Sequence, residues 1–299
     1  TPTRVTASYY HLSTDDMPDG GIPYVYGFNI PKGVTDGPAN VDRHNFYGLI
    51  DRDFRKTTSD ISTIKIEHDI TSSLTIRNTT RYTESTQDYI WTQPDDSQGN
   101  VVNGKVWRRN NNRNSSINSI ANLTELFGEF RTGPFKHSFT TGIELTREWG
   151  KRDTYNVATD NGKICQKGIG VASGYNCTSL WSPNPNDPWA GSITRNNDYA
   201  HARTTTKSIY GFDTIEIMPR WQVNAGVRVD DYSTRFTDTR ANGSKTYTRD
   251  DTLVNWQAGL VFKPAQNGSI YASYATSSTP AGMLLGEGSE TQSLTPGRG

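Results

Sequence analysis

Hydrophobic and polar positions alternate most regularly in the second half of the chain. Val223, Ala225, Val227 and Val229 alternate with Asn224, Gly226, Arg228 and Asp230. Val254, Trp256, Ala258, Leu260 and Phe262 alternate with Asn255, Gln257, Gly259 and Val261. Successive side chains of a strand point to opposite faces, so each segment has one apolar and one largely polar face. The first half repeats the rhythm: Ile64 and Ile66 share a face, and Phe139, Ile143 and Leu145 oppose Ser138, Thr140, Gly142 and Glu144. Short turn signals fall at Asp69–Ser73, Thr132–Lys136, Met218–Arg220 and Lys263–Gly268.

The pattern predicts roughly nine antiparallel strands. They are Arg4–Leu12, Phe46–Ile70, Leu74–Trp91, Asn114–Arg131, His137–Tyr155, Ala202–Met218, Arg220–Phe236, Asp250–Lys263 and Ser269–Thr276. Between them the tight turns alternate with long polar loops at 13–45, 93–112, 156–202, 237–249 and 277–299. Short turns on one side and long loops on the other, around strands of about ten residues or more, are the signature of a transmembrane β-barrel. The expected fold class is therefore all-β, a membrane-spanning antiparallel barrel.

Composition sharpens this. Only 32% of the 299 residues are hydrophobic, which is low for a soluble domain of this length. Yet 15 Tyr, 10 Phe and 7 Trp are too many aromatics for a disordered chain. A barrel reconciles the two, because only its lipid-facing positions must be apolar. Net charge is +0, so nothing pulls the chain toward nucleic acid. No apolar run approaches the ~18 residues of a transmembrane helix. The chain opens within an expected strand and ends in a loop, so it reads as an internal piece of a longer barrel. Tyr82, Tyr89, Trp91, Trp149, Trp221, Tyr232, Trp256 and Tyr274 lie near expected strand ends, as interfacial girdles do.

Candidate chemistry lies in the loops. Cys165 and Cys177 are the only cysteines and share one loop. They suit a local disulfide formed in an oxidising compartment, the other reading being two free thiols. No catalytic or metal-ligating motif stands out, so no enzyme activity and no cofactor are expected. Trp107, Arg108 and Arg109 place an aromatic and two cations side by side in an expected external loop, and Tyr89 and Trp91 lead into it. Arg152 and Tyr155 lead into the next. Such a set would stack on aromatic rings and neutralise an anionic ligand. The same residues also suit a girdle and cations facing lipopolysaccharide.

Several stretches resemble the TonB-dependent siderophore receptors, in particular the ferric-catecholate receptors of the Fiu and PiuA kind. These are MPDGGIPY (17–24), FYGLIDRDFRKTTSDISTIKIEHDI (46–70), GPFKHSFTTGIELTRE (133–148), WQVNAGVRVDDY (221–232) and SIYASYATSSTPAG (269–282). The resemblance implies a barrel of about 22 strands closed by an N-terminal plug, of which this chain would supply part of the wall with neither plug nor final strand. It implies residence in the bacterial outer membrane, among lipid and lipopolysaccharide. It also implies energised uptake of a ferric siderophore as cargo, through the TonB complex acting on an N-terminal region absent from this sequence. A passive porin and a secreted soluble β-sandwich are the alternatives.

Overall fold

The computed structural model describes residues 2–26, 36–158, 176–197, 199–239, 243–280 and 297–298. Nine long strands form one sheet: β1 (Thr3–Asp16), β2 (Phe54–Thr71), β3 (Leu74–Asp95), β4 (Lys105–Thr132), β5 (Phe135–Asp153), β6 (Ala200–Met218), β7 (Trp221–Asp238), β8 (Lys245–Ala265) and β9 (Gly268–Ala275). Each pairs antiparallel with its neighbour in the chain, giving an uninterrupted meander. A short strand, Cys177–Ser179, joins the sheet at the start of β4.

At one end, the turn end, the links are Ser72–Ser73, Gly133–Pro134, Pro219–Arg220 and Gln266–Asn267. The strand ends that flank 17–53, 96–104, 154–199 and 239–244 lie at the opposite, loop end.

Directly opposed residues of an antiparallel pair share a face, so register sorts the side chains. One face carries Ala7 opposite Ile64, then Ile143, Ile209, Val229 and Val254 in a cross-strand row, Val227 opposite Trp256, and Ala258 opposite Tyr274. Ile143, Ile209 and Val254 are 54%, 57% and 56% exposed, which in water would be a large apolar liability and in lipid is a match. The other face is polar and bonded to itself. Arg77 donates to Glu125 at 2.7 Å, and Tyr210 donates to the same carboxylate at 2.6 Å. Arg228 donates to Glu144 at 2.8 Å, to Asp230 at 2.8 Å and to Ser208 at 2.9 Å. Gly226 on this face lies beneath the Phe212 ring of the neighbouring strand, where a Cβ would collide. Trp221 stacks on Phe262 with ring centroids 4.5 Å apart, close to the turn end.

Several strand limits differ from the sequence expectation. The strand expected at Phe46–Ile70 starts only at Phe54. Phe46–Asp53 is instead a turn closed by Asp53 N–H donating to Leu49 C=O at 2.8 Å, with Tyr47 and Leu49 1% and 0% exposed. Its apolar residues fill a core instead of alternating across a sheet. The loop expected at 93–112 shrinks to 96–104, because β3 and β4 run on past the apolar belt. The loop expected at 237–249 shrinks to 239–244 for the same reason. Beyond the belt both faces meet water, so a strand needs no alternation and its backbone ladder alone sustains it. The loop expected at 13–45 contains a paired segment, Tyr24–Val25 with Gly37–Pro38. Ile193–Arg195 of the loop expected at 156–202 pairs with Tyr155–Val157, which starts on the last residue of the strand expected at His137–Tyr155. Within 277–299, Ser278–Thr279 pairs with Gly297–Arg298.

Candidate functional site

The loop end is the one place where the described residues build a conventional core. Ala39, Tyr47, Val106 and Leu180 form it, with Ile22, Val25, Val41 and Val101 against them. The Tyr47 hydroxyl donates to the Leu180 carbonyl at 2.7 Å, tying the segment before β2 to the segment after Cys177. Gly20, within the MPDGGIPY stretch, approaches the Thr92 carbonyl and the Trp91 ring so closely that no side chain would fit. The first loop is thereby laid across the end of β3.

Charges inside this cap are paired. Asp53 accepts from Arg52 Nε at 2.8 Å, from the Thr92 hydroxyl at 2.6 Å and from the Thr92 N–H at 3.0 Å. Arg108 is 1% exposed. Its guanidinium donates to the Tyr47 carbonyl at 2.9 Å, the Asn184 carbonyl at 2.7 Å, Asp187 at 2.9 Å and Asn176 Oδ1 at 3.3 Å. Burial pulls its pKa below the usual guanidinium range, against the attraction of Asp187.

The candidate residues divide by face. Tyr89 lies opposite Arg113, Trp91 opposite Asn111, Gln93 opposite Arg109, and Asp95 opposite Trp107. Alternation therefore puts Tyr89, Trp91, Trp107 and Arg109 on the polar face, with Arg152 of β5 facing the same way opposite Ser115. The Arg109 guanidinium lies 5.7 Å from the Trp107 ring centroid, and one nitrogen donates to Asp95 at 3.0 Å. The Arg109 side chain remains 48% exposed.

Arg108 must be corrected. It lies on the opposite face, and its donors are used by the cap, so it pins loops together and offers nothing to a ligand. Trp107, Arg108 and Arg109 also lie in β4, not in a loop, and strand geometry is what separates them. Tyr155 is likewise placed away from the others. Its hydroxyl donates to Asp88 at 2.7 Å and its ring packs edge-on to Phe54 at 6.5 Å. Burial and the Asp88 carboxylate both raise its phenol above the ordinary range. Arg113, opposite Tyr89 on the polar face, has no ion-pair partner among the described residues. Sequence reasoning passed over it because the asparagine run around it looked like loop.

Cys177 is buried, pairs opposite Trp107 and is not a free thiol; Cys165 lies outside the described residues. Among the described residues no group of three or more His, Cys, Asp or Glu side chains could hold a metal ion.

A meander with tight turns at one end, a lipid-matched apolar face, a polar face and a folded cap at the other end defines part of the wall of a membrane-spanning β-barrel. The chain belongs to the TonB-dependent receptor family and lies in its barrel domain, since the family profile described as "TonB dependent receptor-like, beta-barrel" matches residues 1–296. It is 39% identical over 302 residues to the "Probable TonB-dependent siderophore receptor PiuA" of Acinetobacter baumannii, covering 98% of this chain and 40% of that protein. It is 33% identical over 314 residues to the "Catecholate siderophore receptor Fiu" of Escherichia coli K12, covering 94% of this chain and 39% of that protein. The crystal structure of the siderophore receptor PiuA from Acinetobacter baumannii superposes with a TM-score of 0.85 at 38% identity, over 99% of this chain and 42% of the other. The chain thus spans about two fifths of the curated relatives it matches.

Proposed function

We propose that the protein containing this chain is a bacterial outer-membrane receptor that binds a ferric siderophore of the catecholate class and carries it inward, energised by TonB through a part of the protein outside this sequence. It is a transporter and not an enzyme, with the ferric siderophore as cargo and no resident cofactor. The observation that carries the reading is the alignment of Tyr89, Trp91, Trp107 and Arg109 on the polar face at the loop end, with Arg113 and Arg152 on the same face. A ferric tris-catecholate is anionic with aromatic rings at its edge. Stacking surfaces next to guanidinium groups match both properties. The names of the relatives point the same way. The apolar face meets membrane lipid and lipopolysaccharide, and no nucleic-acid partner is involved. A Cys165–Cys177 disulfide holds the segment paired with Trp107, fixing that side of the cap.

Uptake of radiolabelled ferric dihydroxybenzoate chelates by iron-starved cells tests the reading. Deleting the intact gene should abolish energised uptake. Replacing it with a Trp107→Ala/Arg109→Ala variant should cut uptake by about tenfold or more. Unchanged uptake in both strains, with redundant receptors removed, would end the catecholate assignment.

A further inference from the structure

On the apolar face, immediately beyond the belt toward the loop end, the chemistry changes abruptly. Along β5 this face reads Ile143, Leu145, Arg147, Trp149, Lys151. Register places Arg203 of β6 opposite Trp149, and Arg235 of β7 opposite Arg203. Arg147, Trp149, Lys151, Arg203 and Arg235, with Ile120 of β4, line an open concavity of about 710 Å³.

Two features set this concavity apart. First, Arg203 and Arg235 are directly opposed, and like charges so placed repel. Second, none of Arg147, Lys151, Arg203 and Arg235 has a carboxylate within 4.0 Å among the described residues. Several arginines elsewhere in the sheet are neutralised locally, Arg4 with Asp69, Arg77 with Glu125, Arg228 with Glu144 and Arg249 with Asp251. Single ones such as Arg113 are not, but here four unpaired cations lie together. The nearest acids on this face by register are Asp250, opposite Ser233 and one same-face step nearer the belt than the arginine pair, and Asp231, opposite Lys207 and two steps nearer; neither forms an ion pair with the cluster. The Lys151 ammonium instead lies 4.3 Å from the Tyr199 ring centroid, and the Arg147 guanidinium 5.9 Å from that of Trp149.

An unneutralised cluster over three strands, bordering lipid on one side and water on the other, is suited to an anion that arrives with its own apolar anchor. We infer that this concavity binds the phosphorylated headgroup of an outer-leaflet glycolipid. Arg203 and Arg235 share one phosphate between them, relieving their repulsion. Arg147 and Lys151 neutralise the rest of the headgroup. Trp149 and Ile120 support the sugar, and the acyl chains run down the Leu145–Ile143 belt. The placement departs from the transport path, because every one of these side chains faces away from the polar face.

The test uses the full-length receptor in detergent micelles and native mass spectrometry with bisphosphorylated lipid A as probe. The unmodified protein should retain the lipid. Arg203→Gln/Arg235→Gln should lower retention by about tenfold or more, and Arg203→Lys/Arg235→Lys should keep most of it. Dephosphorylated lipid A should not be retained. Heat-modifiable electrophoretic mobility establishes that each variant forms the barrel. Equal retention by the glutamine variant, equal retention of dephosphorylated lipid A, or displacement of lipid A by millimolar inorganic phosphate alone would each overturn the assignment. The readout is lipid retention, so it stands or falls independently of siderophore uptake.

Discussion

The sheet at membrane level and the cap at the loop end are built from the same chain by opposite rules. In the sheet, Ile143, Ile209 and Val254 point outward and are more than half exposed, while the ionic network of Arg77, Glu125, Glu144 and Arg228 lies on the other face. In the cap, Tyr47, Leu49, Ile90 and Val106 are inside, and the charges enclosed with them, Arg52 with Asp53 and Arg108 with Asp187, are paired. The solvent around each region, and not a difference in its residues, decides which arrangement is stable. Where the surroundings are lipid, an exposed isoleucine loses nothing. Where they are water, it must be covered.

The comparison breaks most sharply at Arg108. A buried cation satisfied by four partners cannot lose its side chain without taking the cation from the buried Asp187 carboxylate and the guanidinium donor from the Tyr47 carbonyl. Arg108→Ala should destabilise the cap by about 3–5 kcal/mol while leaving the sheet intact. Limited proteolysis should then cut near Tyr47 or Asn184, with heat-modifiable mobility unchanged. Loss of the folded barrel band instead would mean that the two regions are not separable. The reverse experiment targets the belt. Ile143→Arg puts a charge where the partner is lipid and should cost about 2–4 kcal/mol of folding free energy in vesicles, with no effect on protease sensitivity of the cap. An equally tolerated Ile143→Arg would place that row outside the hydrocarbon. The smallest effect is expected of Cys177→Ser. Opening the proposed Cys165–Cys177 link should cost about 2 kcal/mol of cap stability, because the loop it closes is short. Hydrogen exchange at Val106 and Trp107 reads that loss. Identical exchange, or an unchanged thiol count before and after reduction of the parent protein, would remove the disulfide.

The sheet was legible in the sequence to the extent that one face had to be apolar. Val223–Val229 and Val254–Phe262 alternate because lipid requires it, and the structure places both as read. Legibility fails once the strands leave the belt. Asn110, Asn111 and Asn112 look like a loop, but β4 runs straight through them, because a ladder in water asks only for backbone partners. The same blindness misplaced Arg108. Reading Trp107–Arg109 as a loop made three neighbours one cluster, whereas a strand sends the middle one to the other face. Tyr47 and Leu49 failed in the opposite sense: their spacing imitates a strand, but their partners are Leu180 and Asp53, far away in sequence or round a turn. The basic concavity had no sequence signal at all, since Lys151, Arg203 and Arg235 meet only through the register of three strands.

Each long strand pairs with the strand adjacent to it in the chain. Assembly can therefore proceed one hairpin at a time, every new strand docking on a template already laid down, with no search for a distant partner. The tight links at one end act as register clamps in that process. A slip of one residue at Pro219–Arg220 would turn Val223, Val227 and Val229 toward the polar side and pass the error to β8 and β9. Fidelity of insertion thus depends more on these few turn residues than on any single contact in the finished wall.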